Sequence, residues 1–242
     1  MEKEILKGIK IINLGLFLEE EKALIASDLH LGYETSLRKQ GVAIPKFNLK
    51  EIKEILEKMF KETGKLNKMI INGDLKHEFG EISEQEWREV IDLFLFLEKY
   101  TQEVIVIAGN HDVFLEPVMK KAGLKLVKEW IYFSKQKIFI AHGDSVPESK
   151  EFKKAKTIII GHDHCAVTLQ EGQKKEKFKC FIKGKFKGKT LIAMPSIFSG
   201  TTGQDVLSEE LLSPMLQQNL RNFEAWVIED KHYYFGKLKN LQ

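Results

Sequence analysis

The alternation of apolar and polar residues in the first half of the chain predicts strands and helices in turn. Apolar residues recur at helical spacing from Asn48 to Phe60 and predict an amphipathic helix with Asn48 as its N-cap. Ser83 and Glu86 are spaced as a capping box and predict the start of a second helix. The order βαβαβ is typical of parallel strands sandwiched between helices. The predicted strands are 9–14, 22–27, 68–72 and 104–108, and the predicted helices are 48–60 and 83–100.

The second half of the chain is richer in strands, and short loops or hairpins replace two of the helical crossovers. A lysine-rich segment alternates with apolar residues, turns at GKFKG and returns as TLIAMPS, which is the pattern of a hairpin. The predicted helices are 115–122 and 205–219, the predicted strands are 124–127, 130–133, 137–141 and 157–160, and the predicted hairpins join 178–183 to 190–196 and 223–230 to 232–238.

Short polar clusters follow most of the predicted strands, and six of the seven histidines lie in or beside them. In open α/β sheets, ligands bind beyond the carboxyl ends of the strands, so these clusters can converge. Carboxylate and amide oxygens together with imidazole nitrogens suit borderline divalent metals such as manganese, iron or zinc. The clusters are Asp28-Leu29-His30, Gly73-Asp74, Gly109-Asn110-His111-Asp112, His142-Gly143-Asp144 and Gly161-His162-Asp163-His164.

Composition and charge narrow the class of protein. The 242 residues, 43% of them hydrophobic, predict a single domain over 1–242. The net charge of +3, from 38 basic and 35 acidic residues, is too balanced to predict nucleic-acid binding from charge alone. Cys165 and Cys180 cannot form a disulfide framework, the N-terminus lacks the apolar core of a signal peptide, and no apolar stretch approaches the roughly 20 residues of a membrane span. We therefore expect a cytoplasmic protein with no membrane partner.

The ordered series D-x-H, G-D, G-N-H-D, H-G-D and G-H-x-H, from Asp28 to His164, resembles the signature of the calcineurin-like metallophosphoesterases. The segments SDLHLGYE and GDLKHEFG more narrowly resemble the small SbcD-related, ICC-like phosphoesterases of archaea. The resemblance implies an α/β fold, a four-layer sandwich in which two central mixed sheets are flanked by helices.

The resemblance also implies two divalent metal ions, with manganese as the first choice and iron, zinc, nickel or cobalt as alternatives. Asp74 would bridge the two ions. His111 would contact the phosphate and protonate the leaving oxygen, Asp112 would orient His111 from behind, and His77 matches a site histidine of the nuclease branch. The implied ligands are Asp28, His30, Asp74 and His164 for one metal, and Asp74, Asn110, His142 and His162 for the other.

Several polar residues near these clusters have simpler interpretations. Asp144 and Asp163 match no ligand and are expected to cap loops or to support the ligands. Lys76 is expected to be a solvated loop residue. The segment 174–189 carries eight lysines with interleaved phenylalanines, which fits either a nucleic-acid contact or an edge strand protected by lysine.

Three functions remain open at this stage. The first is a phosphodiesterase or nuclease acting on DNA or RNA, and the second is a phosphatase for small nucleotides or phosphorylated metabolites. The third is a non-catalytic scaffold, against which the retained histidines argue. Because only 20 positions separate His142 from His162, there is no room there for the cap with which some family members grip lipids. The sequence leaves the oligomeric state open.

Overall fold

A computed structural model describes residues 4–80, 82–121, 125–127 and 129–241. The chain forms a seven-stranded sheet, a second sheet of eight strands and a few helices. The first sheet contains β1 (Glu4–Leu6), β2 (Ile9–Ile12), β3 (Gly15–Leu18), β4 (Ala23–Ser27), β5 (Leu66–Asn72), β6 (Thr101–Ile107) and β7 (Lys125–Val127). The second contains β8 (Trp130–Phe133), β9 (Ile138–Ala141), β10 (Thr157–Ile160), β11 (Ala166–Glu171), β12 (Lys174–Phe186), β13 (Lys189–Ala193), β14 (Glu224–Ile228) and β15 (His232–Lys237). The helices are α1 (Tyr33–Lys39), α2 (Asn48–Thr63), α3 (Glu84–Leu97), α4 (Glu116–Lys121), α5 (Lys150–Lys154) and a 3₁₀ turn at Leu238–Asn240.

Both sheets are mixed. In the first sheet the strands lie in sequence order, β1 to β4 pair antiparallel, and β4 to β7 pair parallel. In the second sheet the order is β15-β14-β12-β13-β10-β9-β8, with β11 paired to β12, and only β9, β10 and β13 run parallel to one another. Each sheet therefore presents the carboxyl ends of several parallel strands at one edge, as the sequence predicts.

Successive side chains along the strands of the second sheet point to opposite faces, and each face packs in a different layer of the hydrophobic core. In β9, Ile138 and Ile140 join the core that is shared with the first sheet, whereas Phe139 points to the opposite face. The same alternation separates Ile159 from Ile158 in β10. The predicted α/β sandwich with two central mixed sheets is confirmed.

The first sheet is covered by helices. Ile52, Leu56 and Met59 are buried at helical spacing along α2, which packs against α3 and contacts β2. Over the described residues, no helix is both long and apolar enough to cross a membrane. Residues 122 and 124, at the edges of a predicted helix and a predicted strand, lie outside the described part of the chain.

An irregular segment, and not the predicted helix, covers the outer face of the second sheet. The predicted helix at 205–219 is wrong, because these residues form turns. Pro214 lacks a backbone N–H, and the Asp205 and Asp163 carboxylates accept hydrogen bonds from backbone N–H groups of this segment, which competes with a helical ladder. Leu211 and Met215 are nevertheless buried against the sheet. The apolar periodicity here reflects packing of an irregular segment.

Two predictions near the N-terminus also need correction. The predicted strand 9–14 ends at Ile12, because Asn13 adopts a left-handed conformation with φ 52° and reverses the chain into β3. Asn48 does not cap α2 with its side chain. Its Nδ2 donates instead to the carbonyl oxygens of Leu29 and His30, each at 2.9 Å. Asn48 thus ties the start of α2 to a loop that carries a predicted metal ligand.

The capping box at the start of α3 is confirmed. The Ser83 side chain accepts a hydrogen bond from Glu86 N at 3.2 Å, and the Glu86 carboxylate accepts one from Ser83 N at 2.7 Å. We expect Ser83→Ala to lower the free energy of unfolding by about 1 kcal/mol, measured by urea denaturation. Ser83→Asp is the matched control, because aspartate caps a helix as well as serine does. Equal losses in both variants would contradict a capping role.

Candidate metal centre

The carboxyl ends of parallel strands from both sheets meet at one cleft. Asp28 directly follows β4, His142 directly follows β9, and Asp74 and His162 each follow a strand after one glycine. Asn110 and His111 lie in the loop after β6. The structure therefore brings together residues from all five clusters. The residues that line this cleft include His30, Asp74, His77, Asn110, His111, His162 and His164.

Two glycines allow the strand ends to approach this closely. Gly73 has φ +82°, and a Cβ atom there would collide with the His142 ring. A Cβ atom at Gly161 would collide with the Ser27 hydroxyl and the Asp28 carboxylate. Glycine at both positions lets loops of the second sheet pack directly on loops of the first.

The backbone at the site is strained at several residues that are not glycine. A positive φ places a side chain in the left-handed region, which costs about 1 kcal/mol or more at residues other than glycine. Such residues concentrate at functional sites, where the rest of the fold holds them in place. Here they are Asp28 (φ 55°), His30 (φ 49°), Asp74 (φ 46°), His162 (φ 72°) and His164 (φ 47°).

A first group of donor atoms belongs to Asp28, His30, Asp74 and His164, and these atoms all lie within 4.8 Å of one another. His30 Nε2 lies 3.0 Å from His164 Nε2 and 3.8 Å from Asp74 Oδ2. His164 Nε2 lies 3.8 Å from Asp28 Oδ1. Two nitrogens and two carboxylate oxygens therefore face a common point.

A second group belongs to Asp74, His142 and His162, again within 4.8 Å of one another. His142 Nε2 lies 3.0 Å from His162 Nδ1 and 3.5 Å from Asp74 Oδ1. The Asn110 side-chain oxygen lies 3.0 Å from His142 Nε2 and extends this group. Asp74 belongs to both groups, with Oδ2 near the first and Oδ1 near the second.

Burial determines the protonation of these groups. Burial raises the pKa of the Asp28 and Asp74 carboxyls above the usual range, and the charge of Asp28 raises the pKa of Asp74 further. Burial is also the largest cause that lowers the pKa of His30, His142 and His164. Neutral imidazole is the form that ligates metals, and a cation would relieve the cost of two buried carboxylates.

A family model for calcineurin-like phosphoesterases matches residues 22–166, a range that contains all five clusters. The chain belongs to the calcineurin-like phosphoesterase family. The family uses divalent metals, and the candidate ligand groups described above match that requirement. The predicted family is thereby confirmed, and the protein is a hydrolase that acts on phosphate esters.

Solved structures resemble this chain to different extents. The nuclease MPE of Pseudomonas putida matches with a TM-score of 0.66 at 15% sequence identity, covering 94% of each chain. The phosphoesterase Yfce of E. coli matches with a TM-score of 0.40 at 15% identity over 86% of this chain and 88% of that one. A zinc complex of Vps29 from Entamoeba histolytica matches with a TM-score of 0.34 at 19% identity, covering 88% and 91%. No curated protein matched the sequence.

His77 and His111 of the phosphoesterase lie beside the first donor group. His77 Nδ1 lies 3.3 Å from His30 Nδ1, and His111 Nε2 lies 3.9 Å from Asp74 Oδ2. The His111 Nδ1 contacts the His77 carbonyl oxygen, which can only accept a hydrogen bond, so Nδ1 carries the proton. This contact leaves Nε2 of His111 facing the cleft.

Asp112 does not hold the His111 ring in the way that the family resemblance implies. Its buried carboxylate accepts hydrogen bonds from the backbone N–H groups of Gly109 (2.9 Å), Leu75 (3.2 Å) and Lys76 (3.2 Å). Asp112 therefore joins the loops after β5 and β6. The group that orients the His111 imidazole is the His77 carbonyl.

Three polar residues outside the donor groups have roles that the structure defines. Asp163 accepts hydrogen bonds from the backbone N–H groups of Leu212 (2.6 Å) and Ser213 (3.0 Å), which is the expected loop-capping role, whereas Asp144 is exposed. The prediction for Lys76 is wrong, because Lys76 is completely buried. Its ammonium donates to the carbonyl oxygens of residues 78 and 80 within its own loop.

Several lysines of the segment 174–189 form hydrogen bonds or ion pairs within the protein. Lys183 pairs with Glu224 at 2.9 Å and donates to the Ile5 carbonyl. Lys189 donates to the backbone carbonyls of Lys153 and Ala155 at the C-terminal end of α5, each at 2.7 Å. These contacts favour a structural use of the lysines over the nucleic-acid contact considered from the sequence.

Two residues that support the site give no signal in the sequence. Phe198 is buried with its ring 5.4 Å from the His30 ring, between centroids. Lys179 donates to Ser196 O at 2.7 Å and also to the Phe198 carbonyl, so it anchors the loop after β13. Burial lowers the pKa of Lys179 to about 7. Lys179 is indistinguishable in the sequence from the surface lysines around it.

Proposed function

We propose that this phosphoesterase is a phosphodiesterase that cleaves nucleic acid at a centre of two divalent metal ions. The observation that carries this proposal is the position of Asp74. Its two carboxylate oxygens lie near two separate groups of nitrogen and oxygen donors. One carboxylate between two such groups is the arrangement that a bridging ligand requires.

The proposed ligands are those implied by the family resemblance, and their chemistry fits divalent cations. A mixture of imidazole nitrogens with carboxylate and amide oxygens suits manganese, with iron, zinc, nickel or cobalt as alternatives. We assign Asp28, His30, Asp74 and His164 to one ion, and Asp74, Asn110, His142 and His162 to the other.

The side chains around this centre have separate proposed roles in the reaction. Bound divalent ions would act as Lewis acids and lower the pKa of water from about 15.7 towards about 7. His111 directs Nε2 into the cleft. Because Nδ1 already donates its proton to the His77 carbonyl, His111 is the proposed donor to the leaving oxygen in its imidazolium form, which carries a second proton on Nε2. The His77 carbonyl fixes the orientation of that ring. Asp112 positions His111 through the backbone of its loop.

The charge of the cleft favours a diester over a monoester. A phosphate monoester carries close to two negative charges at pH 7, and sites for it commonly supply lysine or arginine. None of the described residues that line the cleft is a lysine or an arginine. A diester carries one charge and presents less polar groups on both sides of the phosphorus. The similarity of the fold to a structure described as a nuclease agrees with this choice.

We also propose a cytoplasmic location. Cys165, directly before β11, and Cys180, on β12, are buried free thiols, and burial raises the pKa of both. Free thiols of this kind are typical of a reducing compartment. Fractionation of cells that express the tagged protein tests this location, and recovery outside the cytoplasm would contradict it.

A substrate panel tests the function. With manganese, we expect turnover of single-stranded DNA and of bis-p-nitrophenyl phosphate, weaker turnover of p-nitrophenyl phosphate, and loss of all three after chelation by EDTA. Faster turnover of the monoester would support a phosphatase instead. A protein that gains no thermal stability with manganese and cleaves none of the three would support the scaffold alternative.

A further inference from the structure

Two large apolar side chains that line the cleft are exposed. Among the described residues, eight large hydrophobic side chains are exposed, and two of them line the cleft. We call these two the apolar rim. They are Phe79 (60% exposed) and Leu212 (57%). Exposed apolar side chains that gather around a polar site typically contact a ligand.

Phe79 is the aromatic member of the rim that lies directly against the catalytic candidates. Its ring packs on the His111 ring with 3.6 Å between centroids and an interplanar angle of 30°. It lines the same cleft as Asp74 and His162. With one face on His111 and 60% of the side chain exposed, Phe79 offers an aromatic surface beside the proposed proton donor.

The loop that carries Phe79 is fixed on both sides of the ring. The buried Lys76 ammonium donates to the carbonyl oxygens of Glu78 and Gly80, the two neighbours of Phe79. The Glu78 backbone N–H donates to Glu86 Oε1 on α3 at 2.9 Å. Burying a lysine is costly, and here its hydrogen bonds hold the short segment that presents Phe79. The ring is therefore exposed on an anchored backbone.

We propose that Phe79 stacks on the nucleobase next to the scissile phosphate of a single-stranded nucleic acid. This inference rests on the proposed phosphodiesterase function and names the part of the substrate that the site recognises. A base is joined to the phosphate through one sugar, so it lies beside the phosphate that His111 contacts. Every base has an aromatic face, so a phenylalanine can bind it without reading sequence. The cleft lacks lysine and arginine along its described lining, so stacking supplies the affinity that backbone charges supply elsewhere.

The test uses a single-stranded DNA hexanucleotide in which only the central linkage is a phosphodiester and the other four are methylphosphonates. Three versions are compared: all bases present, the base 5′ of the cleavable linkage removed, and the base 3′ of it removed. Each is cleaved by the manganese-loaded wild-type enzyme and by Phe79→Leu and Phe79→Trp. Phe235→Leu is the matched control, because Phe235 is a partly exposed phenylalanine on β15, outside the cleft lining.

We expect Phe79→Leu to raise KM for the full substrate about fivefold or more with little change in kcat. Removing the base that Phe79 contacts should raise the wild-type KM by the same factor. It should not raise the KM of Phe79→Leu any further. Phe79→Trp should retain the wild-type KM, and Phe235→Leu should match wild type throughout.

Three results would overturn the inference. Equal losses by Phe79→Leu on all three substrates would show that Phe79 acts only by supporting His111. No loss on any of them would show that Phe79 has no role in binding. If wild type cleaves none of the substrates, the proposed function fails and base stacking fails with it, whereas normal wild-type cleavage with either of the first two results rejects stacking alone.

Discussion

Replacing Asp74 with alanine is expected to abolish turnover and metal binding together. Asp74 directs one carboxylate oxygen towards each donor group. Removing its side chain therefore takes one ligand from both groups. Loss of a ligand from both groups should reduce kcat/KM by more than about 1,000-fold, because the proposed chemistry needs both ions.

Metal binding is measured independently of activity by thermal unfolding. A ligand at 100 times its Kd stabilises the native state by about 2.7 kcal/mol, so the wild-type Tm should rise with added manganese. The Tm of Asp74→Ala should not rise. The metal-free variant should unfold near the wild-type Tm, because removing a buried carboxylate offsets the lost hydrogen bond from His111 N to Asp74 Oδ1.

Asp144→Ala is the control for this experiment. Asp144 belongs to the same set of sequence clusters, but its side chain is exposed and it is absent from the donor groups. It should keep the activity and the manganese-dependent Tm shift. If Asp74→Ala retained the shift, or if both variants lost it equally, the bridging assignment would be rejected.

The order of the polar clusters was enough to predict where the site lies. Residues after β4, β5, β9 and β10 converge because the carboxyl ends of parallel strands share an edge, and this rule needs only the position of each strand end. Apolar periodicity located α2 and α3 for the same reason, since it records which face of an element is buried. Family and fold were therefore predictable.

Features that depend on long-range contacts were not predictable from local pattern. Lys76 is buried because carbonyl groups of its own loop surround its ammonium, and no local sequence signal distinguishes it from a surface lysine. The segment 205–219 has helical periodicity, but Asp163, about 50 positions earlier, accepts hydrogen bonds from its backbone. The left-handed conformation of His30 and His164 likewise follows from the surrounding fold.

Replacing His111 with alanine is the second large expected effect, and it should separate rate from metal binding. His111 is not assigned as a ligand, so the manganese-dependent Tm shift should remain. The rate on single-stranded DNA should fall by about 100-fold to 10,000-fold, the range for loss of a general acid. His232→Ala is the matched control, because His232 on β15 is the histidine that lies outside the clusters. Normal turnover by His111→Ala would remove the acid assignment.

The leaving group distinguishes a proton donor from a residue that only stabilises charge on the phosphate. Cleavage of DNA releases an alkoxide, which needs a proton, whereas bis-p-nitrophenyl phosphate releases a weakly basic phenolate that leaves without one. The loss in His111→Ala should therefore be at least about tenfold larger on DNA than on bis-p-nitrophenyl phosphate. His111→Asn keeps a hydrogen-bond donor but no titratable proton, so it should remain slow on DNA and recover on the aryl diester. Equal losses on both substrates would mean that His111 acts on the phosphoryl oxygens alone.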